Sequence, residues 1–300
     1  MATREQIEAT YNYMDELWRL SLGENADITG AMYNGNFSKT LEQAQQDKHE
    51  YILEHTNFKA GYRVLDIGCG WGGLLKAVKE KGGHGIGVTL STKQAQACRR
   101  SSLKVHVMDW KNMSIDTFGE FDCVVSVGAF EHFCSEDEYL RGEQEQIYKR
   151  FFKLCYDLMA EDRRMFLQTM SWGKRIPDPE SLTLSARRGS DEYVLAVIRK
   201  FYPGSWLPLG AEQIADTAGD YFKVISINNG RKDYIETMTQ WGKSIRRISL
   251  SKILAALRLS KYMITDKDFR YRVETLWGSY NQVCFKRELM DHHRIILEKR

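Results

Sequence analysis

The stretch VLDIGCGWGG (residues 64–73) reads as a buried β-strand that runs straight into a glycine-rich turn. Val64, Leu65 and Ile67 supply the apolar strand. Gly68 and Gly70 carry no Cβ, so the backbone can turn sharply there and come close to a ligand. A turn of this kind, at the carboxyl end of the first strand of an open α/β sheet, is where nucleotide-like cofactors sit. Taken alone, the run also fits a dinucleotide site or mere tight packing.

The residues that follow narrow the choice. A helix-compatible run over residues 74–81 leads to a second strand over 85–89. Dinucleotide folds place an acid near the end of that strand to hold ribose hydroxyls, but here the chain reads GVTLS, with Thr89 and Ser91. The three-glycine dinucleotide spacing is also disturbed, because Trp71 and Gly72 intervene before Gly73. The pattern is closer to the turn with which class I methyltransferases hold S-adenosylmethionine.

Outward from this centre the chain alternates strands and helices. Strands are predicted at 63–67, 85–89, 104–108, 123–127, 164–169, 221–227 and 292–297. Such alternation implies a mostly parallel sheet covered by helices on both faces. Residues 1–60 read as helical: Tyr11, Met14, Leu17 and Trp18 share one helix face, and 41–55 forms a second helix. Residues 171–209 break the rhythm. They contain all four prolines and one helical piece over 191–201, and they read as an inserted lid. Helices are predicted again at 232–247 and 267–286. The expected organisation is therefore an N-terminal helical cap (1–60), a Rossmann-like core (61–170), a lid (171–209) and the remainder of the core (210–300).

Composition excludes several classes. A net charge of +3 is too small for a nucleic-acid binder. No apolar run approaches the roughly 18 residues of a transmembrane helix, and the first residues, MATREQIEAT, lack the apolar core of a signal peptide. Six cysteines are scattered without CxxC pairs, which argues for a reducing cytoplasm and against a metal site. No GxSxG or HExxH pattern occurs. Residues 241–263 interleave six Lys and Arg with apolar side chains. They suit either peripheral contact with an anionic membrane or a solvated face packed on the core. Homo-oligomerisation is left open.

Four segments together resemble the cyclopropane-fatty-acid synthase and mycolic-acid methyltransferase family: VLDIGCGWGG, GVTLSTKQ (87–94), VVSVGAFEHF (124–133) and FYPGSWLP (201–208). The resemblance runs along most of the chain and implies a seven-stranded class I methyltransferase fold with S-adenosylmethionine as donor. It places Gly68, Cys69 and Gly70 at the amino-acid part of the cofactor, and Thr89, Leu90 and Gln94 at the nucleoside. Asp109 and Trp110 would clamp the adenine, with Val127 lining the same pocket. Glu131 and His132 follow the fourth strand and would project at the same edge. A carboxylate there can steady a developing cation or take a proton.

In cyclopropane synthases a bound bicarbonate removes the proton that closes the ring. The resemblance assigns it a cysteine, the glutamate of the EH pair, a histidine after the fifth strand and a tyrosine after the sixth. Glu131 and Tyr234 keep two of these positions. The cysteine position falls at Ala31, loose by a residue, and the histidine position at Gln168. A neutral amide cannot replace an imidazole. The family's PGGE also becomes PGSW, placing Trp206 where a carboxylate is usual. It would either face a cation or anchor the lid.

The expected function is C-methylation of an unsaturated apolar molecule, a prenyl, terpenoid or acyl chain, without ring closure. Tyr33, Gln168, Trp206 and Tyr234 would surround the cation. The alternatives are N-methylation of an amine natural product, cyclopropane formation with a reshaped anion site, and a cofactor-binding protein without catalysis.

Overall fold

The structure is a computed structural model that describes residues 27–202, 204–277 and 279–300. The predicted face of Tyr11, Met14, Leu17 and Trp18 lies outside the described residues. Seven strands form one sheet in the order β3-β2-β1-β4-β5-β7-β6. They are β1 (Arg63–Ile67), β2 (His84–Thr89), β3 (Lys104–Val107), β4 (Phe121–Val127), β5 (Met159–Trp172), β6 (Phe222–Asn229) and β7 (Met290–Lys299). Strands β1 to β5 pair in parallel, and β7 runs antiparallel between β5 and β6. This is the class I methyltransferase fold that the alternating pattern predicts.

The sheet is buried on both sides because its central strands are apolar in both registers. Leu65, Ile67 and Val124 face a core with Phe130, Phe151 and Phe152. Val64, Val125 and Phe166 face the opposite layer with Ile52 and Leu53. Those last two come from the helix Leu41–His55, which opens with a reciprocal capping box between Thr40 and Gln43. The exception among the buried residues of β1 is Asp66, only 3% exposed between Leu65 and Ile67.

Several boundaries differ from the sequence reading. Residues 27–40 are turns and extended chain rather than helix. Strand β5 runs past both predicted ends: Met159 still pairs with Phe121 of β4, and the antiparallel register with β7 continues to Trp172 opposite Met290. The predicted helix over 267–286 is two helices, Lys267–Trp277 and Tyr280–Lys286, since Ser279 adopts a left-handed φ of 52°. The basic segment spans two helices, as a helix pair was expected there: Arg231–Arg246 and Leu250–Thr265, separated by extended backbone at Arg247, the second capped by Ser249.

Two connections position the site. After β1 the chain turns through Gly68, Gly70 and Gly72, all at positive φ. A Cβ on Gly68 would lie 2.3 Å from the Ala129 Cβ, so the turn after β1 and the turn after β4 need a glycine to meet. After β5, residues 173–190 form a loop leading to the helix Asp191–Phe201, capped by Ser190. The chain then returns through Trp206, which is fully buried between Trp172 and Tyr139.

Candidate active site

A cleft enclosing about 1200 Å³, part of it open to solvent, lies along the carboxyl ends of β1, β2, β3 and β4. Gly68, Cys69 and Gly70 line it from the first turn. Thr89, Leu90 and Gln94 line it after β2, Asp109 and Trp110 after β3, and Val127 at the end of β4. The nine residues assigned from sequence to the cofactor are thus brought together in one place.

Local bonding explains how they are held. The amides of Gly68 and Cys69 both donate to the Val88 carbonyl, at 2.8 and 3.1 Å, and pin the glycine turn to β2. Nothing stands within 4 Å of the point where a Cβ on Gly70 would be, so a ligand can approach the backbone there. The Thr89 hydroxyl donates to Gln94 Oε1 at 2.7 Å, and Ser91 caps the helix that carries Gln94. Asp109 accepts from the Lys111 amide at 2.9 Å, which fixes the short turn bearing Trp110. Trp110 packs its ring on Phe133 and Phe151 while also lining the cleft, so it serves core and cavity together.

Sequence reasoning missed the charged edge of this cleft. Asp27, Lys48, His49 and Asp66 line it beside the glycine turn. Lys48 is ion-paired to Asp27 and donates to the Thr29 hydroxyl at 2.7 Å, while His49 Nε2 lies 3.1 Å from Asp27. Burial alone would raise the Asp27 carboxyl, but Lys48 and His49 outweigh it and hold the group well below the usual range. Burial, with Asp27 nearby, pushes Asp66 up to about 7 against the pull of Lys48. The available signals were a carboxylate inside an apolar strand and a lysine on the buried stripe Leu41, Ala44, Lys48, Ile52 of an amphipathic helix.

A smaller cavity enclosing about 380 Å³, part of it open to solvent, adjoins the cleft and shares Ile28, Thr29, Gly128 and His132 with it. Glu131, Gln168, Thr169, Tyr234 and His292 line it further in. Glu131 is 3% exposed and accepts from the Thr169 hydroxyl at 2.9 Å. Burial pushes its carboxyl up to about 7, although the hydrogen bonds from Thr169 and the backbone pull the other way. His132 sits at the junction of the two spaces, its Nδ1 2.9 Å from Ser205 Oγ. Burial lowers it to about 4, so it is neutral at physiological pH.

His292, in the smaller cavity, is a further residue that sequence reading missed. It stands opposite Met170 in the β5–β7 register, and this places its ring beside the position where β5 carries Gln168. The ring packs 4.8 Å from that of Tyr234. A Cβ on Gly30 would come within 3.0 Å of Cε1 and 3.1 Å of Nε2 of His292, and within 3.2 Å of Tyr234. A side chain at residue 30 and an imidazole at 292 therefore compete for the same space. Burial, with Arg294, His293 and Lys48 around it, holds the His292 imidazole well below its ordinary value and keeps it neutral. Its Nδ1 is buried without a hydrogen-bond partner, on the side of Gly230.

The residues expected around the substrate divide. Gln168 lines the small cavity, but its amide donates to the Gly30 carbonyl at 3.0 Å and accepts from Arg294 at 3.3 Å. Ala31 is buried behind it, bonded through its backbone to Thr237 and Arg294; Gly30 is the residue that faces the cavity. Tyr33 and Trp206 line neither space. Tyr33 is buried with Ala31, Leu41 and Ala44. Trp206 stacks on Tyr139 and packs at a tilt against Trp172, which is the anchoring arrangement and leaves it no access to a cation in either cavity. Among the described residues no cluster of His, Cys, Asp and Glu could hold a metal ion, and no helix is long and apolar enough to cross a membrane.

A cleft built on a glycine turn, with an acid-lined chamber at the end of β4, is the arrangement of an S-adenosylmethionine-dependent methyltransferase. The chain belongs to the mycolic acid cyclopropane synthetase family, whose pattern matches residues 1–271. It is 29% identical over 250 residues to cyclopropane mycolic acid synthase 2 of Mycobacterium bovis, covering 81% of this chain and 80% of that one. It is 28% identical over 251 residues to the hydroxymycolate synthase MmaA4 of the same organism, covering 81% and 78%. The solved structure of mycolic acid cyclopropane synthase CmaA1 complexed with SAH and CTAB superposes with a TM-score of 0.77, covering 99% of this chain and 98% of that one, at 24% identity. The protein is an enzyme of this class, and its cofactor is S-adenosylmethionine.

Proposed function

We propose that the protein adds the methyl carbon of S-adenosylmethionine to a carbon–carbon double bond of an apolar acyl-type chain and closes a cyclopropane ring. The observation that carries this reading is the small cavity, where Glu131, Tyr234 and His292 meet beside the cofactor cleft. The loss of an imidazole at Gln168 speaks for methylation that stops before ring closure. His292 answers it, because a neutral imidazole enters the same chamber from the neighbouring strand. The relative named as a cyclopropane mycolic acid synthase favours ring closure as well.

The residues divide the work as follows. Gly68 and Cys69 shape the turn, and Gly70 leaves open backbone for the amino-acid end of the cofactor. Asp66 and Lys48 supply polar groups at that edge. Thr89, Leu90, Gln94, Asp109, Trp110 and Val127 take the nucleoside. When bound, the cofactor supplies an electrophilic methyl group. The alkene π pair forms the new carbon–carbon bond while the carbon–sulfur pair stays on sulfur. Glu131 and the Tyr234 ring steady the resulting positive charge. His292 Nε2 takes a proton from the transferred methyl carbon, and the released C–H pair closes the ring. A neutral base positioned in this way contributes roughly 10²–10⁴-fold. His132 and Ser205 orient the chamber mouth, and residues 171–209, anchored by Trp206, act as the lid. Six buried free cysteines fit work in a reducing cytoplasm.

The test is turnover of unsaturated acyl substrates by the purified chain. A cyclopropane product supports the reading. A methyl-branched alkene or an N-methylated amine as the sole product overturns it.

A further inference from the structure

Seven of the thirteen exposed large apolar side chains among the described residues fall between Ile248 and Ile264. That density marks a patch rather than the scattered exposure normal for a surface. Leu250, Ile253, Leu254, Leu257 and Ile264 recur at three-, four- and seven-residue spacing, so they form one stripe along the helix Leu250–Thr265. The stripe faces solvent: Leu257 is 65% exposed and Ile264 82%. The opposite face is the one that holds the helix to the protein. Ala255 is fully buried there, and Leu259 and Tyr262 pack into a cluster with Trp71 and Phe269. The helix is therefore apolar on two faces, and only one of them is used by the fold.

Charge indicates what the other face meets. From Thr237 to Thr265 the chain carries Lys243, Arg246, Arg247, Lys252, Arg258 and Lys261, and no acidic residue. Lys261 lies within the apolar stripe, and Ile248, 82% exposed, stands just before the helix. A second copy of the same face would set these cations against one another. A surface of anionic headgroups over hydrocarbon complements both the charge and the apolar stripe.

We propose that the outward face of the helix Leu250–Thr265, with Ile248 at its foot, seats on an anionic lipid bilayer. The apolar stripe enters the acyl boundary and the flanking Lys and Arg meet headgroup phosphates. Its inward face packs against Trp71, a wall of the cofactor cleft, so docking brings the cleft to the lipid surface. The inference stands on surface residues alone and does not depend on ring closure.

Sedimentation of the full chain with vesicles tests it. The protein is expected to pellet with phosphatidylglycerol-containing vesicles, and at least about tenfold less with pure phosphatidylcholine or at high salt. The triple variant Leu254→Ser, Leu257→Ser, Ile264→Ser should lower vesicle binding by a similar factor of about ten while S-adenosylmethionine still raises its melting temperature as in the wild type. Equal binding to neutral and anionic vesicles overturns the proposal, as does a triple variant that binds like the wild type. A triple variant that turns a dimer into a monomer without altering vesicle binding assigns the face to a second copy instead.

Discussion

Glu131 gathers the chemistry of the small cavity into one carboxyl group. Its ordinary value of 4.5 is raised to about 7 by burial. The folded state therefore prefers the protonated form, and the site costs stability as pH rises from 4.5 through 7. That cost reaches on the order of 3 kcal/mol above pH 7. Glu131→Gln is isosteric and uncharged, so it should match the wild type in chemical denaturation at pH 5 and exceed it at pH 8. It should retain S-adenosylmethionine binding by calorimetry and lose about 10²-fold or more in kcat; wild-type turnover would remove the carboxylate from the reaction. His292 makes a separate prediction. His292→Gln keeps a polar group of similar size and removes the basic nitrogen, so kcat should fall about 10²–10⁴-fold with cofactor binding unchanged. A drop in cofactor affinity with unchanged kcat would instead make the ring a packing group.

At the scale of elements, the site depends on how β7 is fastened beside β5. Arg294, 1% exposed, pairs with Asp233 at 2.9 Å and also reaches Gln168, Asn228 and the Ala31 carbonyl. One side chain thus ties β5, β6, β7, the helix Arg231–Arg246 and the segment around Gly30 to each other. Arg294→Leu leaves Asp233 a buried charge without its partner and should cost about 3–5 kcal/mol in urea unfolding. The lid has its own fastening in Trp206, and Trp206→Ala should cost about 3–5 kcal/mol, since it removes a fully buried indole. The sequence could be read for elements where periodicity is local: the strand before Gly68, the helix Leu41–His55 and the alternation of the parallel strands with helices all follow from spacing. It could not show the small cavity. The chamber exists because β7 runs antiparallel to β5 with His292 opposite Met170, and no motif records a register between strands more than a hundred residues apart. Gly30 is legible only after His292 is placed, because its small size matters through the ring it admits. Trp206 could be read either way for the same reason: its position in PGSW does not tell a cation neighbour from a lid anchor, and only the packing of Tyr139 and Trp172 around it does.

For the whole molecule, binding and folding are linked through the cleft, because the turns after β1, β2, β3 and β4 all border that one cleft. Saturating S-adenosylmethionine at about 100 times its Kd should stabilise the protein by about 2.7 kcal/mol, seen as a rise in melting temperature. Gly68→Ala should abolish that rise, since its Cβ would strike Ala129 and its φ of 87° disfavours any side chain. The most direct test of the account follows the hydrogens of the transferred group. The enzyme would be given S-adenosylmethionine with a trideuterated methyl and an unsaturated acyl lipid, and the product analysed by mass spectrometry and NMR. Proton removal from the transferred carbon by His292 predicts a cyclopropane that retains two of the three deuterons. A product that keeps all three on a methyl branch would contradict ring closure.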